Sequence, residues 1–138
     1  MKLFVDANTL ISGLLFAGNE RLLLELGRFG VCELITDAYV REEVIEVLGR
    51  SHLRLSEEDQ RRLIAWLGRS VTVIADPTVE MLRAAKGRVG DAEDLPVLVG
   101  FEYSGCDHLV TGDRKLREEV PKAISTRQAL ELILGKFE

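Results

Sequence analysis

Short runs of consecutive apolar residues alternate along the chain with stretches whose apolar positions recur at helical spacing. Leu3 to Val5 is fully apolar, as expected for a central parallel strand buried on both faces. A helix follows from Asn8, carrying Leu10, Ile11, Leu14 and Leu15. Gly18-Asn19 breaks it, and Glu20 to Arg28 predicts a second, leucine-rich helix. Cys32 to Ile35 reads as a strand, with Thr36-Asp37 capping a helix that begins near Ala38. Ser56 caps a helix carrying Leu63, Ile64 and Leu67 to near Gly68, and Val71 to Ile74 is a third strand. Asp76-Pro77-Thr78 opens a helix through Ala85, with Thr78 as its cap and Gly87 beyond its end. Asp91 to Tyr103 predicts an apolar helix, His108 to Val110 a fourth strand, and the stretch from about Arg114 a short helix. A last strand covers Ala123 to Ser125, and Thr126 caps a terminal helix containing Leu130, Ile133 and Leu134. Strands alternating with helices predict an α/β fold. Its sheet is mainly parallel, with about five strands, and one domain spans 1–138.

Composition narrows the class. An apolar share of 46% and a charged share of 30% describe a folded globular chain. No apolar stretch approaches the roughly 20 residues that span a bilayer. The N-terminus begins directly with a strand and lacks a signal-peptide pattern, so the expected location is cytoplasmic. Cys32 and Cys106 form no CxxC pair, and His52 and His108 lack ligand spacing, so a structural zinc site has no support. The net charge of −5 argues against a broad electropositive surface for nucleic acid. It leaves room for a metal cluster that offsets its own acids, with local arginines meeting phosphates.

The chain has 23 acidic residues, and four stand out by position. Asp6 and Asp113 each follow a predicted parallel strand, where sites form in open α/β sheets. Helix capping is the competing role for both. In the helix after Asp37, Val40, Val44, Val47 and Leu48 define an apolar arc, and Glu43 falls beside it. Glu42 and Glu46 point away from that arc. Asp94 shares its predicted helix face with Val97, Leu98 and Phe101, a costly place for an unpartnered carboxylate. Asp91, one turn earlier, is either a further ligand or an N-terminal acid favoured by the helix dipole. Glu93 points elsewhere. Converging carboxylates need a divalent cation, and an all-oxygen set suits Mg²⁺ or Mn²⁺.

In these segments the chain resembles the PIN-domain nucleases. The matching stretches run Val5 to Ser12, Glu43 to Leu48, Asp91 to Leu98 and Leu109 to Leu116, in an order and spacing that cover nearly the whole chain. Its length is similar to that of stand-alone VapC-type toxins of toxin–antitoxin pairs. The resemblance implies a three-layer PIN-like fold and Mg- or Mn-dependent cleavage of single-stranded RNA. It carries the acidic quartet to Asp6, Glu43, Asp94 and Asp113. It also assigns Asn8, Ser12 and Thr111 to polar positions that bond the acids, water or substrate. A homodimer and an antitoxin partner are implied as well. One departure is Gly100, where similar sequences usually carry alanine, an exchange expected to loosen that helix.

On this reading Asp6, Asp94 and Asp113 are metal ligands, while Glu43 either completes the cluster or orients the attacking water. Arg114 and Lys115 are either phosphate contacts or a solvated helix start, with Arg41, Arg50 and Arg54 as further basic candidates. Leu22 to Leu26 and Leu130 to Leu134 suit core packing or a dimer surface equally. Two other classes compete. One is a metal-binding phosphotransferase with an aspartyl nucleophile, which generally needs a second aspartate where this chain has Asn8. The other is a weakly active PIN-like interaction scaffold.

Overall fold

Five parallel strands form the centre of the computed structural model, which describes residues 1–135. They are β1 (Lys2–Val5), β2 (Glu33–Asp37), β3 (Val71–Ile74), β4 (His108–Val110) and β5 (Ala123–Ile124), in the order β3-β2-β1-β4-β5. Every pairing is parallel; Phe4 lies opposite Ile35 on one side and Leu109 on the other. Leu3, Phe4 and Val5 have no exposed surface, because helices cover both faces of the central strand.

The helices are α1 (Ala7–Leu15), α2 (Asn19–Arg28), α3 (Ala38–Leu48), α4 (Glu57–Ser70), α5 (Val79–Ala84), α6 (Leu95–Ser104), α7 (Arg114–Glu119) and α8 (Thr126–Leu134). Short 3₁₀ turns at Ser51–Leu53 and Ala92–Asp94 were not predicted. Leu23, Leu24, Leu130 and Ile133 are buried where α2 and α8 pack, so the core accounts for most of the leucine-rich segments. Leu22 and Leu134 stay exposed. Both cysteines are free and buried. No helix among the described residues is long and apolar enough to cross a membrane.

Several expected boundaries moved, two of them for a clear local reason. The helix predicted from Asp91 starts instead at Leu95, after the 3₁₀ turn. Pro96 has no N–H to give to residue 92 and suits only the first turn of a helix. Asp94 is therefore the residue at which α6 begins, not a member of its apolar face. At the other end of the chain the cap of α8 is Ser125 rather than Thr126. Ser125 Oγ accepts from Gln128 N at 3.1 Å while Gln128 Oε1 accepts from Ser125 N at 2.9 Å, a reciprocal capping box.

The sheet order places the topological switch between β1 and β4, which lie side by side although each continues outward to a different neighbour. In open parallel sheets the crevice beyond the strands' carboxyl ends at that point is where ligands are received. Asp6 and Asp113 stand beside it.

Candidate active site

A cavity of about 720 Å³ opens at this switch point. Asp6, Glu43, Asp94 and Asp113 all line it, together with Asn8 and Thr111. Four carboxylates from four separate segments thus share one opening.

Asp6 ends β1 and caps α1: Oδ1 accepts from Thr9 N at 2.9 Å, while Oδ2 accepts from the Thr111 hydroxyl. Thr111 is fully buried, and its Oγ1 also accepts from Asp113 N at 3.1 Å. The Arg117 guanidinium holds the Thr111 carbonyl at 2.9 Å. One hydroxyl therefore ties the ends of β1 and β4 together. Asp113 caps α7 through Oδ1, which accepts from Leu116 N at 3.1 Å. Capping and site membership, competing roles in the sequence, are held by the same side chains. A capped carboxylate still has unused lone pairs. Asp94 sits at the start of α6 without making a capping bond, so both of its oxygens are unspent on the helix.

The electrostatics join the quartet in two pairs. Burial pushes the Glu43 carboxyl above its ordinary range, and Asp6 is the strongest neighbouring charge adding to it, with Arg50 opposing. Burial likewise raises Asp94, with Asp113 the largest charge contribution and Lys115 pulling the other way. Both shifts express burial first and neighbouring like charges second.

The remaining expectations divide. Asp91 is exposed and caps its own 3₁₀ turn, Oδ1 accepting from Glu93 N at 2.9 Å, and it does not line the cavity. Ser12 is absent from the lining too. Arg114 pairs with Glu118 at 3.3 Å on the exposed face of α7. Lys115 is outside the lining but close enough to act on Asp94. Arg41 and Arg50 pair with Glu42 and Glu46.

The cavity is also wider and more acidic than the sequence reading allowed. Glu42, Glu46 and Glu93, all expected to point away, line it with Tyr39 and Asp76. Residues 39, 42, 43 and 46 form one i, i+3, i+4, i+7 face of α3, so the apolar arc alone was the wrong guide. Asp76 Oδ1 accepts from Tyr39 N at 2.7 Å, holding the start of α3 against the segment after β3. Among the described residues, no lysine or arginine lines the cavity.

The quartet shares a cavity without closing into a cage: among the described residues, no three Asp, Glu, His or Cys side chains converge tightly enough to enclose an ion. Two of the four acids, Asp6 and Asp113, each spend one oxygen on a helix N-terminus. The donor set still fits Mg²⁺, which keeps several of its waters and is typically held by one or two carboxylates. Mn²⁺ fits for the same reason, being equally suited to oxygen donors.

Comparison with known proteins identifies the family and the fold. The PIN domain family's sequence profile matches residues 2–115. The crystal structure of PAE2754 from Pyrobaculum aerophilum superposes with a TM-score of 0.72 at 23% identity, over 98% of this chain and 96% of that one. That likeness establishes the fold. No curated protein sequence matches the chain.

Proposed function

The chain belongs to the PIN domain family, and from that premise we propose that it is a metal-dependent endoribonuclease that hydrolyses phosphodiester bonds of single-stranded RNA. PIN domains are nucleases that act on RNA and generally use divalent metal ions. The observation that carries the finer reading is the convergence of Asp6, Glu43, Asp94 and Asp113 on one cavity at the sheet's switch point.

Asp6, Asp94 and Asp113, with Glu43 beside them, would hold Mg²⁺ or Mn²⁺. The bound ion supplies Lewis acidity, lowering the pKa of water and stabilising charge on the phosphate oxygens. The chain's own residues provide the frame. Thr111 fixes the oxygen of Asp6 and the backbone of Asp113 with one hydroxyl. Glu43, whose carboxyl holds its proton more tightly than usual, is placed to orient water or to take its proton. Asn8 faces the same space with a neutral donor and acceptor. Lys115, near Asp94, and Arg114 beside it are the nearest candidates for the substrate backbone. In-line hydrolysis of this kind leaves a 5′-phosphate.

The reading extends to a toxin acting in the cytoplasm as one domain, as a homodimer restrained by a cognate antitoxin protein. Exposed Leu22, Leu132 and Leu134 near the α2–α8 contact support a protein-binding face. The test is direct: incubate total RNA with the protein and Mn²⁺, then sequence the 5′ ends. New 5′-phosphate ends that vanish with Asp113→Asn are expected. Identical end profiles with and without Mn²⁺ would sink the proposal.

A further inference from the structure

Asp37 is only 1% exposed, the most deeply buried carboxylate among the described residues. Its Oδ1 caps α3, accepting from Val40 N at 2.9 Å, but its Oδ2 is buried with no hydrogen-bond partner among the described residues. An orphaned buried oxygen is costly and calls for a reason. Facing it is Gly100, in the interior of α6. A Cβ built on Gly100 would overlap Asp37 Oδ2 and come within 3.2 Å of Phe4 Cζ. Gly100 is not among the positive-φ glycines, so its backbone does not require glycine. Glycine is also among the poorest residues for a helix interior. Space for the Asp37 carboxyl explains it. The departure from alanine is thus a close-packing position, not a loosening.

Three acid-bearing elements meet at this contact. Asp37 caps the helix that carries Glu43, Gly100 belongs to the helix that Asp94 begins, and Phe4 precedes Asp6 by two residues. Phe4 and Phe101 pack edge to face beside it, 6.5 Å between ring centroids. Asp37 itself does not line the cavity.

We propose that Asp37 and Gly100 are a matched pair that sets the separation of α3 from α6, making Asp37 a positioning residue for Glu43 and Asp94. The packing stands by itself; its consequence for the acids rests on the nuclease reading above. The two sides are tied by size. Adding a methyl group at position 100 pushes α6 outward, and shortening residue 37 while keeping its capping oxygen makes room for that methyl.

The test is a cycle of Gly100→Ala, Asp37→Ser and the double variant, read by thermal melting, calorimetric Mn²⁺ binding and single-turnover RNA cleavage. Gly100→Ala should lower the melting temperature, weaken Mn²⁺ binding and slow cleavage by about 10²-fold, the order expected for a misplacement near 1 Å. The double variant should recover most of all three. If Gly100→Ala does not fold, a folded double variant carries the same message, and an unfolded one overturns the pair. Additive losses in melting temperature would also overturn it, whether or not the protein cleaves RNA. Coupled melting with unaltered Mn²⁺ affinity and cleavage would remove the positioning role and leave the nuclease reading intact. A wild type that binds no Mn²⁺ would remove both the nuclease reading and the positioning role, while melting still judges the pair.

Discussion

Asp6 and Asp37 begin from the same local instruction and end in different chemistry. Each closes a parallel strand, and each caps the next helix through Oδ1, at 2.9 Å from the N–H three residues on. They differ in what meets the second oxygen. For Asp6 it is the Thr111 hydroxyl and an open cavity; for Asp37 it is the flank of Gly100, with no donor among the described residues. Strand order decides between them. β1 lies at the switch point, where its carboxyl end opens on a crevice, whereas the end of β2 is roofed by α6. An aspartate at a strand end is therefore a cap first, and topology determines whether it is also available to a ligand.

The sharpest way to break this comparison is to neutralise each aspartate without removing its cap. Asparagine caps as well as aspartate. Asp6→Asn should fold normally and lose cleavage by about 10²–10³-fold, the order seen when a group that stabilises reacting charge is removed. Asp37→Asn should cost less than about tenfold, because asparagine keeps both the cap and the size that set the spacing of α3 from α6, and it carries no charge into the cavity. Equal losses in single-turnover assays would show that the two sites are not distinct.

Mn²⁺ should separate the sites next. At about 100 times its dissociation constant, a ligand adds about 2.7 kcal/mol of stability. That gain should appear in thermal melts of the wild type and of Asp37→Asn, and be lost in Asp6→Asn. Raised carboxyl pKa values at Glu43 and Asp94 fix the sign of a companion effect. The folded state holds protons there that the unfolded state has released, so ion-free stability falls as pH rises from about 4 through those raised values. Mn²⁺ should raise the melting temperature more at pH 7 than at pH 5. A larger shift at pH 5 would contradict the raised carboxyls at Glu43 and Asp94.

Thr111→Val should have a smaller effect, since it removes the hydroxyl that joins Asp6 to Asp113 while keeping the shape. Loss of an oriented supporting contact typically costs about 10–100-fold in metal affinity or activity. An unchanged Mn²⁺ affinity and rate would assign Thr111 to packing alone. The smallest effect on stability belongs to Asp37→Ser, which keeps a capping oxygen and removes an orphaned one. Its melting temperature should stay close to that of the wild type, and a large drop would mean that Asp37 Oδ2 has a partner such as bound water.

Much of this organisation was readable in advance. The strands at Val71–Ile74 and His108–Val110, the caps at Ser56 and Thr78, and the parallel α/β pattern follow from period, turn chemistry and capping residues. Asp6 and Asp113 were legible because strand ends are short and marked. Glu42, Glu46 and Glu93 were not, because an open cavity recruits side chains from the solvent side of a helix, where hydrophobic periodicity carries no information. Asp37 was legible as a cap but not as a buried acid. Its burial depends on Gly100, 63 positions later, and on the path of α6 across β2.

A mouth ringed by carboxylates, with no lysine or arginine among the described residues, would impose an order of addition on the proposed reaction. Polyanionic RNA is turned away from the ion-free protein by the same charges that attract a cation. On the proposed nuclease reading, the divalent ion would act as an entry permit as much as a reagent. Chelation would empty the protein of its substrate before it slowed a single bond cleavage, and cellular Mg²⁺ would govern binding as well as rate.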